Sequence, residues 1–270
     1  MNFLKLAAAA VVGMSAVAAV QAGPILIVHE AAGSYEYASV TQPVLGNLTA
    51  LHQAVGNTVT AVSALPTDLS AYAQVWDLRV LTALDATAAA SYTGFLQAGG
   101  GVFLTGELGR HGFYDARNNS ILGLIGALGG GTLGFHHCAG DEAVQSVQSP
   151  FTGPNPVSQV HFQAPGCFDG FGSGQWVTNN GSVGAGVAFE AGSLGGALSG
   201  SLVSMLDINF MMNVYDLPNS QNLTKNLIRF LGEETDRPSQ VPEPGSLALV
   251  GIAALAAAGL RRRQARTGTA

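Results

Sequence analysis

The run Pro24-Ile25-Leu26-Ile27-Val28 is apolar throughout, the pattern of a strand buried on both faces. Val40, Val44, Leu48, Leu51 and Val55 then recur at helical spacing, and Gly56-Asn57 supplies a stop. Thr58–Val62 and Ala73–Leu78 read as second and third strands, the latter entered through Leu65-Pro66-Thr67-Asp68-Leu69-Ser70. Asp85–Ala98 is predicted helical, with Asp85 as N-cap and Gly99-Gly100-Gly101 as its end. Val102–Thr105 reads as a fourth strand, and Asn118–Leu128 as a helix stopped by Gly129-Gly130-Gly131. Strand alternating with helix predicts an α/β domain on a parallel sheet flanked by helices.

From Thr132 the pattern changes. Glycine and proline punctuate short apolar pieces such as Val160-His161-Phe162 and Gln175-Trp176-Val177, which predicts strands and loops elaborating one edge. Gly186–Glu190 and Leu202–Ile208 read as late strands returning to the sheet, and Asn219–Leu231 as a closing helix. Residues 235–240 are polar and proline-bearing, the composition of a linker. No internal repeat is visible.

Both ends depart from this domain pattern. Lys5, the apolar stretch Leu6–Val20 and the small-residue site Ala19-Val20-Gln21-Ala22 have the form of a secretory signal peptide over 1–22, cleaved after Ala22. The C-terminal part reads Val241-Pro242-Glu243-Pro244-Gly245, then an apolar segment to Leu260, then Arg261-Arg262-Arg263 and Arg266. This proline motif, apolar helix and arginine cluster over 241–266 resemble the PEP-CTERM sorting signal, with Pro242, Glu243 and Pro244 as its motif. The resemblance implies an exosortase-type membrane protease as partner and a membrane-held intermediate with its arginines in the cytoplasm. The protein would pass the inner membrane in transit and end in the cell envelope, at the outer surface or in an exopolysaccharide matrix.

Composition bounds what the 23–234 domain does. All 17 acidic residues but Glu243 fall between Gly23 and Pro242. Against those 16 stand six basic ones: Arg79, Arg110, Arg117, Lys225, Arg229 and Arg237. That excess of negative charge excludes nucleic acid as a partner, since nucleic-acid binding needs clustered Lys and Arg. Only 10% of residues are charged while 47% are hydrophobic, which excludes a disordered chain.

The stretch Ile25–Glu30 and the segment Tyr92-Thr93-Gly94-Phe95-Leu96-Gln97-Ala98-Gly99-Gly100-Gly101-Val102-Phe103-Leu104-Thr105-Gly106-Glu107 resemble the class I glutamine amidotransferase-like fold, a flavodoxin-like architecture. The resemblance implies a functional residue just past the fourth strand, which here is Glu107. Glutaminase chemistry needs a Cys on that turn, and Gly106-Glu107-Leu108-Gly109 has neither Cys nor Ser. The ThuA-like branch of the fold also lacks that Cys.

Candidate chemistry gathers where strands end. His29 and Glu30 follow the first strand, Glu107, Arg110 and His111 the fourth, and Asp207 and Asn209 a late one. Glu107, His111 and Asp207 together could hold a divalent cation or do acid–base work. Alternatively, Glu107 organises its loop by accepting backbone hydrogen bonds and pairing with Arg110 or Arg117. His136, His137, Cys138, Asp141, Glu142, His161 and Cys167 invite a metal reading, but the spacing matches no structural zinc pattern. In an exported chain a Cys138–Cys167 disulfide is the simpler use, with free thiols the remaining option. The glycine triplets lack the order of a phosphate loop. Phe168, Phe171 and Trp176 suit either core packing or stacking on sugar rings. No cofactor is expected.

The sequence therefore predicts an exported envelope or exopolysaccharide-associated protein without glutaminase activity. The alternatives are a glycan hydrolase using Glu107 and a second carboxylate, or a sugar- or cation-binding module.

Overall fold

The computed structural model describes residues 23–233 apart from Tyr35, 109–111, 139–141, 197–198, Asn213 and Tyr215. The signal peptide, the linker, the sorting tail and both expected terminal apolar helices lie outside the described residues, as do Arg110, His111 and Asp141. No described helix is long and apolar enough to cross a membrane.

The first half is strand–helix alternation: β1 (Pro24–Val28), α1 (Gln42–Ala54), β2 (Thr58–Val62), β3 (Gln74–Asp77), α2 (Ala86–Gln97), β4 (Gly101–Thr105) and α3 (Asp115–Ala127). A π-helical turn, Tyr37–Thr41, leads into α1. Then come β5 (Phe135–His137), β6 (Glu142–Val147), β7 (Gln159–Gln163), β8 (Gly166–Phe168), β9 (Gln175–Asn180), β10 (Val183–Phe189), β11 (Ser201–Met205) and α4 (Asn219–Glu233). The strand order is β2-β1-β3-β4-β11-β10-β9-β6-β7, with β8 joined to β10 and β5 to β8.

From β2 to β11 the neighbours are parallel. From β11 outward through β10, β9, β6 and β7 every pairing is antiparallel. The sheet is therefore mixed, where the alternation pattern predicts a parallel one. The cause is the length of the connections. Residues 181–182 alone join β9 to β10, and residues 148–158 join β6 to β7 without a helix, whereas a parallel pair needs a long crossover, usually a helix.

Alternate residues of each buried strand feed two cores. Ile25, Ile27, Trp76, Phe103 and Val203 pack with Val44 and Leu48 of α1 and Leu223, Leu227 and Leu231 of α4. Leu26, Val28, Val75, Val102 and Leu104 pack with Tyr92, Phe95 and Leu96 of α2 and Ile121 and Ile125 of α3. Asp85 caps α2 by accepting from Ala88 N–H at 2.7 Å. The helix closes through Gly99 at φ +86°, with Gly100 N–H donating to Phe95 O and Gly99 N–H to Leu96 O. This paired bond pattern needs a left-handed residue, which glycine supplies without a Cβ clash.

The helices set the location of the site. β1 and β11 are followed by helices on one face, β3 and β4 by helices on the other. Chains leaving the adjacent strands β1 and β3 diverge, as do those leaving β4 and β11. Such divergence opens crevices outside the carboxyl ends of the strands.

Candidate functional site

A carboxylate stands at the carboxyl end of each of these four strands, and each meets a different fate. Glu30, after β1, closes the β1/β3 crevice. Its Oε1 accepts the N–H groups of Val80, Leu81 and Thr82 at 2.9, 2.7 and 3.2 Å, and its Oε2 accepts the Thr82 hydroxyl at 3.0 Å. Consecutive N–H groups converging in this way make a nest for an anion. Here the neighbouring strand's own side chain occupies it.

Asp77, the last residue of β3, is completely buried. It accepts from Arg79 Nε (2.8 Å), Arg79 Nη2 (2.6 Å), the Tyr92 hydroxyl (2.7 Å) and Arg117 Nη1 (3.2 Å). Burial opposes its charge, but the Arg117 guanidinium, then the bonds and charge of Arg79, hold its pKa below the ordinary carboxylate value. Arg117 also donates to Thr105 O and Thr82 O. Arg117 therefore serves Asp77, which corrects its assignment as a partner of Glu107. Sequence reasoning missed this network; the spacing Asp77-Leu78-Arg79 at a strand end was the available signal.

Glu107 and Asp207 come together at the β4/β11 crevice. Thr105 and Met205 are partners in the parallel ladder, so each acid stands two residues beyond the same rung. Gly106 carries the ladder one step further by donating to Met205 O at 2.8 Å. A Cβ there would meet Asn118 Oδ1 at 2.3 Å and Leu206 Cδ2 at 2.5 Å. Asn118 needs that approach, because it clamps the Glu107 backbone: it accepts Glu107 N–H at 3.1 Å and donates to Glu107 O at 2.8 Å.

Both carboxyl groups are buried, Glu107 at 7% exposure and Asp207 at 0%. Glu107 accepts Leu108 N–H at 2.9 Å and Ile208 N–H at 3.3 Å. Asp207 accepts Asn209 N–H at 2.5 Å and Gln163 N–H at 3.1 Å, tying β11 to the outermost strand β7. Burial, and then the neighbouring Asp207 charge, push the Glu107 pKa well above the usual carboxylate value. Burial pushes Asp207 up to about 7, against the pull of the N–H groups of Asn209, Gln163 and Phe210. Two acids in a dry crevice resist joint ionisation. The pair therefore keeps a proton near neutrality, which it can hold or release. Glu36, which accepts the Tyr114 hydroxyl at 2.7 Å, adds a further negative charge toward Glu107.

The other candidates lie elsewhere. Cys138 and Cys167 form a disulfide with Cα atoms 5.1 Å apart, joining β5 to β8, so neither sulfur remains as a thiolate ligand. Gln145 Nε2 donates to both sulfurs. Among the described residues no three His, Cys, Asp or Glu side chains form a metal-holding group. His29 bonds the carbonyl of Glu30 through Nδ1 and packs against Tyr37. Phe168 is core, while Phe171 remains 43% exposed.

Among curated proteins none matches the chain. Solved structures do. The mmIFT52 N-terminal domain superposes with a TM-score of 0.57 at 8% identity, covering 77% of this chain and 96% of that one. A thua-like protein from Bacteroides uniformis gives 0.51 at 12% identity, covering 78% and 92%. One from Parabacteroides merdae gives 0.51 at 12% identity, covering 83% and 94%. At such identities the likeness concerns the fold alone. The PEP-CTERM protein-sorting motif matches residues 240–263. The chain is thus an exported protein bearing a PEP-CTERM motif for exosortase processing and sorting to the cell envelope, and its domain has the fold of ThuA-like proteins.

Proposed function

We propose that residues 1–22 are removed on export, that the 23–234 domain is released from its 241–266 sorting signal, and that it then associates with exopolysaccharide at the cell surface without hydrolysing glutamine. The observation that carries this reading is the pairing of a sorting motif at 240–263 with a turn after β4 that presents Glu107 in place of a nucleophile. The Glu107 carboxylate is itself engaged by the N–H groups of Leu108 and Ile208. Fractionation of the producing cells tests the reading. The protein should travel with the exopolysaccharide, and the purified protein should release no ammonia from glutamine. Recovery wholly in a polysaccharide-free supernatant would contradict it.

A second reading, a glycan hydrolase, is favoured by the placing of Glu107 and Asp207 two residues beyond the same rung of the β4/β11 ladder, where burial favours the protonated form of each, since glycosidases pair two carboxyl groups of which one is protonated. Reducing ends released from the host polysaccharide by the native protein, and lost in both Glu107→Gln and Asp207→Asn, would support it. No release from the native protein ends it. A divalent cation would draw on the same carboxylates.

A further inference from the structure

We infer that the end of the sheet opposite the carboxylates carries a subsite for a neutral or amino-sugar unit of a glycan. This rests on the exopolysaccharide reading above and names the surface that would serve it.

A cavity of about 120 Å³ is lined by Ser173, Gly174, Gln175, Ala188, Glu190 and Ser193. Gln175 opens β9 and pairs with Ala188, while the next residue, Phe189, pairs with Leu202 near the start of β11. The cavity therefore lies at the amino end of the parallel strands, away from Glu107 and Asp207.

Its polar groups face outward mainly as acceptors. Ser193 Oγ donates its hydrogen to Glu190 O at 2.6 Å, and Ser173 Oγ donates to Ser193 O at 2.8 Å. Both hydroxyl hydrogens are committed to the backbone, leaving lone pairs. Gln175 Nε2 donates to Glu190 Oε1 at 2.6 Å, which orients both side chains. Glu190 Oε2 and Gln175 Oε1 remain as further acceptors, and one N–H of Gln175 as a donor. A lining rich in acceptors and bearing a carboxylate selects a ligand rich in O–H or N–H groups and repels an anionic one.

An apolar platform adjoins it. The turn from Phe171 to Gly174 closes through Gly174 N–H to Phe171 O at 2.9 Å, so Phe171 and the cavity residue Ser173 share one turn. The exposed Phe171 ring is braced edge-on against Trp176, with centroids 5.4 Å apart. Ser173 N–H donates to Gly130 O, and Gly172 lies so close that a Cβ would sit 1.8 Å from that oxygen. The turn is rigid before any ligand arrives, which lowers the ordering cost of binding. A pyranose complements it, with a C–H face for the aromatic ring and hydroxyls for the acceptors. The cavity admits one edge of a ring, not a whole sugar.

The test titrates the exported protein, purified from its host, with cellohexaose, glucosamine hexamer and hexagalacturonate, read by calorimetry and tryptophan emission. Cellohexaose and glucosamine hexamer should bind, and hexagalacturonate about tenfold more weakly or not at all. Phe171→Ala and Glu190→Ala should each weaken cellohexaose by about tenfold with unchanged unfolding midpoints. Absence of binding by both non-acidic probes, or equal binding in both variants, overturns the subsite. Co-fractionation of both variants with exopolysaccharide, as for the native protein, would also overturn it while leaving the parent reading intact. Failure of the native protein to co-fractionate overturns that reading itself.

Discussion

Glu107→Gln should flatten the pH response of stability in the β4/β11 crevice. The folded-state pKa of Glu107 is raised, so the folded chain keeps a proton that the unfolded chain has lost above about pH 4.5. Stability from such a group is fully present at acid pH and drains away as pH rises. The slope is about 1.4 kcal/mol per pH unit for each retained proton, or about 2 kcal/mol between pH 5.5 and 7. Asp207, with a pKa raised to about 7, acts in the same direction. Glutamine has the shape of the protonated acid and can still accept the 2.9 Å bond from Leu108 N–H, losing the longer one from Ile208 N–H. That loss should cost about 1 kcal/mol at pH 5.5. The variant's curve then lacks one proton's slope, so it should cross the native curve and lie about 1 kcal/mol above it at pH 7. Urea unfolding at pH 5.5, 6.2 and 7 measures this directly. Parallel curves would mean instead that Glu107 ionises in the folded chain as it does in the unfolded one.

Three further perturbations probe the frame around the site. Asp77→Asn leaves Arg79 and Arg117 without their carboxylate in the interior and should cost about 3–5 kcal/mol by urea unfolding, since a broken buried ion pair strands its partner. His52 is buried edge-on against Trp76, and burial lowers its pKa to about 3, so the unfolded chain takes up a proton below about pH 6.5 that the folded one refuses. Native stability should fall as pH drops from 6.5 toward 3, and His52→Leu should remove about 1.4 kcal/mol per pH unit of that fall. Replacing both Cys138 and Cys167 by Ala opens a loop with a sequence separation of 29 and should cost about 3–4 kcal/mol, measured as a lowered unfolding midpoint that no longer responds to reductant.

The parallel half of the fold was legible because its signals are local. β1 and β4 are short apolar runs, β2 and β3 carry β-branched and aromatic residues, and Asp85 and the glycine triplets mark helix ends by side-chain and backbone chemistry. The antiparallel half was legible only in part: Val160–Phe162, Gln175–Val177 and Gly186–Glu190 read as strands, but their order and pairing could not be read. β5 and β8 are three residues each and pair with one another, so no periodicity develops in either. In β10, Gly184 looks like loop punctuation, and Gly186 like the first residue of a strand. A Cβ at Gly184 would meet the Trp176 ring at 2.7 Å, and one at Gly186 would meet Met205 Sδ at 2.1 Å, so these glycines mark close packing between strands. Of the site, Glu107 could be placed from Val102–Thr105 alone. Its nearness to Asp207 depends on β11 inserting beside β4 after about a hundred residues of intervening chain, which only the assembled sheet fixes. The partner of Arg117 was hidden for the same reason. Asp77 read as one residue of the strand Ala73–Leu78, and nothing in the sequence says that two arginines and a tyrosine converge on it.

Everything proposed for the domain depends on the chain being exported and then released from its C-terminal signal to the envelope. The most direct test is the intact mass of the protein recovered from the envelope and extracellular fractions of hosts with and without the exosortase, beside a variant with Pro242, Glu243 and Pro244 replaced by alanine. Protein from the complete host should lack the cluster Arg261–Arg266, whereas both the exosortase-deficient host and the alanine variant should retain it in the inner membrane. The same mass and the same fraction in all three would contradict it.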